Sequence, residues 1–290
     1  ELAGDIILGF GGGGMPSNRW RPDLPDGHGQ GCAALVADVR PAQAVFAKTG
    51  WAISWEEVGL AWFTVDVRGT HTYVGSRHLL PYRNAIADAG RIIVGLEAWF
   101  ERWAEQHRDG LVAPQGVVAA IEGGWPHMAA FTTDSCRFHV DLRLSPRTSP
   151  GEAAAAFGTE VERLASEIGA ELSWSQGVAI PGTTTDPAAP VIATAVSAWE
   201  AMEGRPHQPI AGLSGATDAN ILRAAGVPTA RVGLPKIGSH HFEQPVDFQL
   251  GMNAVEVADM ERLTELLIRI AIATCGESSV EGSSLRDQRE

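Results

Sequence analysis

Residues 62–68 read WFTVDVR and residues 138–144 read FHVDLRL, and these two stretches decide the fold. In each, apolar and polar side chains alternate, which is the period of two expected of a strand with one buried face. Between them a long helix is predicted from Ala85, because apolar residues recur at helical spacing after Asn84, a suitable N-cap. The apolar run at 117–121 predicts another strand. The order so far is strand, helix, strand, strand.

A second helix and a fourth strand complete this unit. Residues 149–152 read SPGE, which offers a capping serine, a proline at the first helical position and a glutamate three residues after the cap. Gly169 ends the helical pattern, and residues 172–174 alternate as a strand. This order predicts a ferredoxin-like α+β domain over 60–176, with one antiparallel sheet and both helices on a single face. The free face or edge predicts a dimerisation surface.

The composition favours a small-molecule partner. The 290 residues are 44% hydrophobic and 20% charged, as in a soluble globular protein, and no span is long enough to cross a membrane. The formal net charge of −13 argues against nucleic acid and anionic membranes, which bind basic patches. Cys32, Cys136 and Cys275 are far apart and match no metal or redox spacing, so a reducing, cytoplasmic compartment is expected.

Strands and helices alternate on both sides of the insert, which predicts an α/β domain divided into residues 1–59 and 177–275. Residues 276–290 contain almost no apolar side chains and predict a disordered tail. The predicted elements are a buried strand at 5–10, a helix at 32–39, strands at 44–47 and 52–56, a helix at 191–202, a short helix at 219–225, a strand at 229–232 and a final helix at 258–274.

Three segments of this domain are candidates for binding. The loop Gly11–Gly14 is either a phosphate cradle or a tightly turned loop, and it lacks the lysine and hydroxyl residue of a P-loop. The turn Ser214–Asp218 precedes a helix and is either an anion site or plain helix capping by Thr217 or Asp218. The loop 238–243 carries two histidines, which in such a loop are either exposed or metal ligands.

The order of several motifs resembles one family of enzymes. The motifs are Asn84-Ala85-Ile86, Asp141-Leu142-Arg143, the Ser214–Asp218 turn, Gly226-Val227-Pro228 and the histidine-bearing loop. Together, over nearly everything to Cys275, they resemble the zinc-dependent aminoacylase, acetylornithine deacetylase and succinyl-diaminopimelate desuccinylase family, which includes carboxypeptidase G-like metallopeptidases. The resemblance implies a three-layer α/β catalytic domain interrupted by a lid that forms a homodimer, and hydrolysis of an amide or N-acyl bond in a small amino-acid-derived substrate.

The chain departs from this family at the metal positions. The family's first histidine-and-aspartate ligands lie in a segment before Asp5 that this chain does not contain. Where the family has two adjacent glutamates, as general base and zinc ligand, the chain has Gly11–Gly14, and Lys48 replaces a further acidic ligand. We therefore expect that the chain does not hold a pair of zinc ions and that Lys48 points toward an acidic neighbour. An impaired pseudo-enzyme or a small-ligand binding protein is the alternative to a hydrolase.

The resemblance also implies roles for particular side chains. The lid group offered to the substrate of the neighbouring subunit falls on Tyr73, and His71 and His78 flank that position. The C-terminal metal position falls on His240 or His241, of which His241 is preferred.

Substrate binding is implied for a set of polar residues and one glycine. Asn220 stands where relatives often carry an arginine for a substrate carboxylate, so recognition of a charged end is expected either to be weakened, with a substrate that is neutral there, or to move to Arg143 or Arg223. The residues implied in substrate binding are Asn84, Arg143, Ser214, Gly215, Thr217 and Asn220.

Overall fold

A computed structural model describes residues 2–15, 29–235 and 255–276. No helix in these ranges is long and apolar enough to cross a membrane. The elements in chain order are α1 (Gln30–Asp38), β1 (Ala44–Thr49), β2 (Glu56–Glu57), β3 (Gly59–Arg68), a 3-10 turn (Val74–Ser76), α2 (Ala85–His107), β4 (Gly116–Gly123), β5 (Ser135–Leu144), α3 (Pro150–Ile168), β6 (Leu172–Ile180), β7 (Thr183–Thr184), α4 (Pro190–Glu203), α5 (Ala219–Ala224), β8 (Thr229–Leu234) and α6 (Val257–Cys275).

The predicted inserted unit, called the lid below, is present as one antiparallel sheet with strand order β4-β5-β3-β6. This is the ferredoxin-like order, in which the first and third strands are central and the second and fourth lie at the edges. Helices α2 and α3 pack on the same face of the sheet and share one core with it. At the centre of that core Phe157 stacks on Phe63, with ring centroids 4.1 Å apart, and Trp174 meets both rings edge-on.

The lid helices begin where their capping residues stand. The Asn84 side chain accepts hydrogen bonds from the backbone N–H groups of Ile86 and Ala87, which would otherwise be unpaired at the start of α2. Ser149 and Glu152 form the predicted capping box of α3. Gly169 ends α3 in the left-handed region, with φ of 63°, which glycine adopts without a Cβ clash. The predicted helices of the lid, their caps and the order of its elements along the chain are confirmed.

The rest of the described chain forms the layers of an α/β domain. Strands β1 and β8 are parallel and pair from Ala44–Thr229 to Thr49–Leu234. Val45 packs toward the core of α4 and α6, whereas Phe46 packs toward the core of α1 and α5. Because neighbouring strand residues face opposite sides, helices cover both faces of this sheet. The predicted α/β fold class with an inserted α+β lid is therefore observed.

Two of the predicted strands are wrong. Residues 5–10 form no strand, and their side chains are exposed, with Phe10 at 95%. A strand needs a neighbour for its backbone groups, and among the described residues neither β1 nor β8 pairs with residues 5–10. The segment 52–56 contributes only the two-residue strand β2 and a single bridge from Ser54 to Arg231. Most of the predicted tail, from residue 277 onward, lies outside the described residues.

Candidate functional site

The candidate site lies at the carboxyl ends of β1 and β8, where open α/β sheets bind their ligands. Lys48 stands near the end of β1, opposite Gly233 of β8, and is exposed. Asp218, at the start of α5, is its acidic neighbour. Burial raises the pKa of Asp218, and the positive charge of Lys48 acts against this rise. Lys48 therefore lies close enough to Asp218 for the two charges to interact.

The glycine loop packs against the start of α1. The carbonyls of Gly12 and Gly13 accept hydrogen bonds from the N–H groups of Gly31 and Gly29, both at 3.0 Å. A Cβ on Gly31 would lie 2.5 Å from the Gly12 carbonyl oxygen, so this approach requires a glycine. These contacts use the loop for close backbone packing, which favours the tightly turned loop over a phosphate cradle.

The hydroxyl groups of the Ser214–Asp218 turn form hydrogen bonds within the protein. The Ser214 hydroxyl donates to the Ala113 carbonyl of the lid. The Thr217 hydroxyl lies 2.9 Å from both carboxylate oxygens of Glu57 and accepts from the Ala219 N–H at 3.1 Å, so it caps the start of α5. Gly215 is exposed, and no atom lies within 4 Å of the position a Cβ would take there. The open part of the turn is therefore its backbone at Gly215.

The two arginines considered for a substrate carboxylate differ in their surroundings. Arg223 is buried, and its guanidinium donates to the Thr229 carbonyl and to Glu57. Burial lowers the pKa of Arg223, and the charge of Glu57 opposes this effect. The Arg143 side chain is 28% exposed, pairs with Asp141 at 2.8 Å and reaches the Ser214 carbonyl at 3.5 Å. Arg143 is therefore the one of the two that stands beside the turn with an exposed part.

Two other predicted binding residues lie elsewhere. Asn220 is 1% exposed, accepts from the Thr183 hydroxyl and donates to the Val58 carbonyl at 2.8 Å, so both ends of its amide are engaged inside the protein. Asn84 lies at the far end of the lid sheet from Arg143. The eight residues of β3 that separate the level of Arg143 from the level of Asn84 span roughly 26 Å at 3.3 Å per residue. The structure thus joins Arg143 to Ser214 but does not bring Asn84 to them.

The three candidate lid residues lie at this far end, called the lid tip below. His71 Nδ1 donates to the Thr132 carbonyl at 2.8 Å, and its ring packs between Trp125 and Phe131. This bond places the proton of the neutral imidazole on Nδ1 and leaves Nε2 as an acceptor. Tyr73 is 50% exposed and contacts Phe131, and His78 is exposed.

The described residues do not fit a zinc centre. Nowhere among them do three or more histidine, cysteine, aspartate or glutamate side chains come together as metal ligands. Zinc sites in proteins use three or four such ligands. Cys32, near Asp218, is a buried thiol whose pKa burial and Asp218 raise to about 11, so it stays protonated at neutral pH. The two predicted ligands, His240 and His241, lie outside the described residues.

No family model matches the chain. Its structure is similar to that of a tripeptidase from Staphylococcus aureus, with a TM-score of 0.61 and 12% identity over 83% of this chain and 59% of that one. A hydantoinase/carbamoylase family amidase from Burkholderia ambifaria gives 0.59 and 20% identity over 88% and 62%. A dinuclear metal-binding M20 family peptidase from Bacillus subtilis gives 0.53 and 14% identity over 84% and 61%. The chain has the fold of these amidases and peptidases. It spans 59% to 62% of their lengths.

Sequence reasoning missed two glutamates at the junction between the lid and the α/β domain. Glu56 and Glu57 are 2% and 1% exposed, and both bind arginine. Their signal was present, because two adjacent acids interrupt a run at 51–63 whose other residues, apart from Ser54, are apolar or glycine. Carboxylates in such a run are buried only when they are paired.

Proposed function

We propose that the protein hydrolyses an amide or N-acyl bond of a small amino-acid-derived substrate. The observation that carries this proposal is the fold shared with a tripeptidase, an amidase and an M20 peptidase, which has an inserted lid and leaves a candidate site at the carboxyl ends of β1 and β8. Small-molecule sites in open α/β sheets lie at such a crevice.

In the proposed complex, Arg143 and the Ser214–Asp218 turn hold the substrate. The partly exposed guanidinium of Arg143 suits a carboxylate, because its planar fork matches that group. The open backbone at Gly215 gives the substrate room to approach the turn.

We further propose that the lid tip of a second copy completes the site in a homodimer. The tip lies roughly 26 Å along β3 from Arg143, so it is poorly placed to serve the cleft of its own molecule. Tyr73 offers an exposed O–H donor for charge developing on a substrate carbonyl, and the exposed side chains of His71 and His78 flank it in sequence. The edge strand β4 exposes Val117 and Ile121, which suits pairing between two lids.

A binding protein with impaired catalysis is the second candidate, and Lys48 favours it. An ammonium beside Asp218 places a fixed positive charge where the resemblance puts a metal ligand, and a cation at that position repels a metal ion. In this case the ammonium replaces part of the charge that zinc supplies in the related enzymes.

Metal analysis combined with hydrolysis distinguishes the two functions. The full chain would be incubated with a panel of N-acyl amino acids and dipeptides, with and without added zinc, and its zinc content measured by elemental analysis. Hydrolysis that Arg143→Ala abolishes and Arg143→Lys partly retains supports the hydrolase. Saturable binding of the same compounds without turnover, lost in Lys48→Met, supports the binding protein. Neither turnover nor binding across the panel contradicts both.

A further inference from the structure

The junction between the lid and the α/β domain contains two buried glutamates on β2. We propose that Glu56 and Glu57 are positioning residues that couple the orientation of the lid to the conformation of the Ser214–Asp218 turn. The proposal goes beyond the reaction proposed above, because it applies whether the cleft hydrolyses or only binds its ligand.

Glu56 fastens the loops at the base of the lid. Its carboxylate accepts from the Arg147 guanidinium, from the Leu111 N–H at 2.6 Å and from the Thr184 hydroxyl at 3.0 Å. Arg147 and Leu111 belong to two different lid loops, which follow β5 and α2. Gly110 sits so close that a Cβ there would lie 2.3 Å from the Glu56 carboxylate. The lid base is thus built around this one carboxylate.

Glu57 fastens the α/β domain. Its carboxylate lies 3.1 Å from the Arg231 guanidinium of β8 and 3.4 Å from that of Arg223 in α5. It also accepts from the Thr217 hydroxyl at 2.9 Å, which ties it to the turn beside the candidate cleft. All of these partners lie outside the lid.

The two glutamates are adjacent on a strand, so their side chains point to opposite faces. Strand β2 leads into the lid and β7 leads out of it, and the two pair antiparallel as Glu56–Thr184 and Glu57–Thr183. The connection is tight, because a Cβ on Gly59 would lie 2.2 Å from the Gly182 nitrogen. A rotation of the lid therefore acts on both carboxylates through one short ribbon.

Backbone hydrogen bonds close a circuit between the two glutamates. The Leu213 N–H donates to the Leu111 carbonyl at 3.1 Å, and the Ala113 N–H donates to the Leu213 carbonyl at 3.0 Å. Leu111 is held by Glu56, and Leu213 directly precedes the turn that Glu57 holds through Thr217. Each glutamate thus stabilises one end of the same chain of contacts, from the lid loop to the turn.

Burial makes this circuit sensitive to the loss of either carboxylate. The Glu57 side chain is 0% exposed and that of Arg223 is 2% exposed, so removing the negative charge leaves buried guanidinium groups without compensation. Such networks respond strongly to the removal of one member, because the interior screens charge poorly. We therefore expect changes at one glutamate to be felt at the partners of the other.

Hydrogen exchange of the full chain tests the coupling. In Glu56→Gln the Leu111 N–H, which donates to Glu56, and the N–H groups of Ala113 and Leu213 should exchange about tenfold faster, because one charge-assisted anchor is lost. The Ala219 N–H, which donates to the Thr217 hydroxyl at the end of the turn, should exchange faster as well. Coupling is reciprocal, so Glu57→Gln should speed exchange at Leu111 as well. Glu101→Gln, an exposed change on α2, is the matched control and should leave these amides unchanged.

The outcomes separate coupling from simple destabilisation. If Glu56→Gln speeds exchange only at residues 109–112 and leaves Leu213 and Ala219 unchanged, the proposed coupling is wrong. Equal acceleration in the central lid strand at 63–67 would indicate a global loss of stability and would also contradict it. Should Glu56→Gln fail to fold, Arg147→Met removes the partly exposed partner of Glu56 instead, and the same pattern of exchange is expected.

Discussion

Substitutions at Asn84 can distinguish a structural role from a binding role, because the Asn84 side chain has two chemically distinct ends. The carbonyl oxygen accepts from the Ile86 N–H at 3.0 Å and from the Ala87 N–H at 3.3 Å, and so caps α2. The amide nitrogen is the only part that could still donate to a ligand. Asn84→Ala removes both ends, whereas Asn84→Ser keeps an acceptor for the helix and removes the amide donor.

The expected effect on stability follows from the cap. Loss of an N-cap acceptor costs about 1 kcal/mol, and serine caps about as well as asparagine. Asn84→Ala should therefore lower the melting temperature by about 2–4 °C, and Asn84→Ser should leave it within about 1 °C of the parent. Thermal unfolding followed by tryptophan fluorescence measures both shifts, since Trp99 and Trp103 lie on the helix that Asn84 caps.

Two results would refute this reasoning. Equal destabilisation by serine and alanine would show that the capping bonds are not what Asn84 contributes. Full stability of Asn84→Ser with lost ligand binding would show instead that the amide donor belongs to the binding site. We expect Asn84→Ser to bind like the parent protein, because the bonds that the Asn84 side chain makes in the structure are the two capping bonds, which serine also provides.

Three further predictions concern stability, pH and assembly. Phe157→Ala should cost about 3–5 kcal/mol in chemical unfolding, because it removes a fully buried ring that stacks on Phe63; a loss below about 1 kcal/mol would contradict the stacked core. Burial lowers the pKa of His207, so the folded protein favours the neutral imidazole, whose Nε2 accepts from the Ile53 N–H. The unfolded chain takes up a proton at a higher pH than the folded protein does, and the free energy of unfolding should therefore fall as the pH drops below about 6.5. Thermal melts from pH 8 to pH 5 measure this fall, and His207→Gln should flatten it. In sedimentation, a fragment of residues 59–181 should form dimers at micromolar concentration, and a purely monomeric fragment would count against pairing of the lids.

The lid could be predicted from sequence because its determinants are local. Each helix of the lid has its cap, its apolar stripe and its end signal within about twenty residues, and each strand has a period of two. Asn84, residues 149–152 and Gly169 marked the helix ends correctly. Such features act through neighbouring residues, so the order of elements followed from the chain alone.

The segment 5–10 shows where local reading fails. Its apolar residues have the composition of a buried strand, but a strand also needs partners that are distant in sequence. The structure leaves Phe10 and Leu8 exposed instead, with the backbone running past α1. Composition therefore indicated which residues could enter a sheet, and only the tertiary contacts decide which of them do so.

The Ser214–Asn220 segment shows why the candidate site was harder to predict than the fold. Ser214, Thr217 and Asn220 have the polar side chains that a binding turn requires, and the sequence suggested that they face a substrate. In the structure these side chains contact Ala113, Glu57 and Val58, all at the base of the lid or leading into it. The side chains of Ser214, Thr217 and Asn220 thus hold the base of the lid. The parts that remain open to a ligand are the backbone of the turn and Arg143. A ligand that moves this turn would also act on the contacts that hold the lid, and we therefore expect ligand binding and lid orientation to be linked.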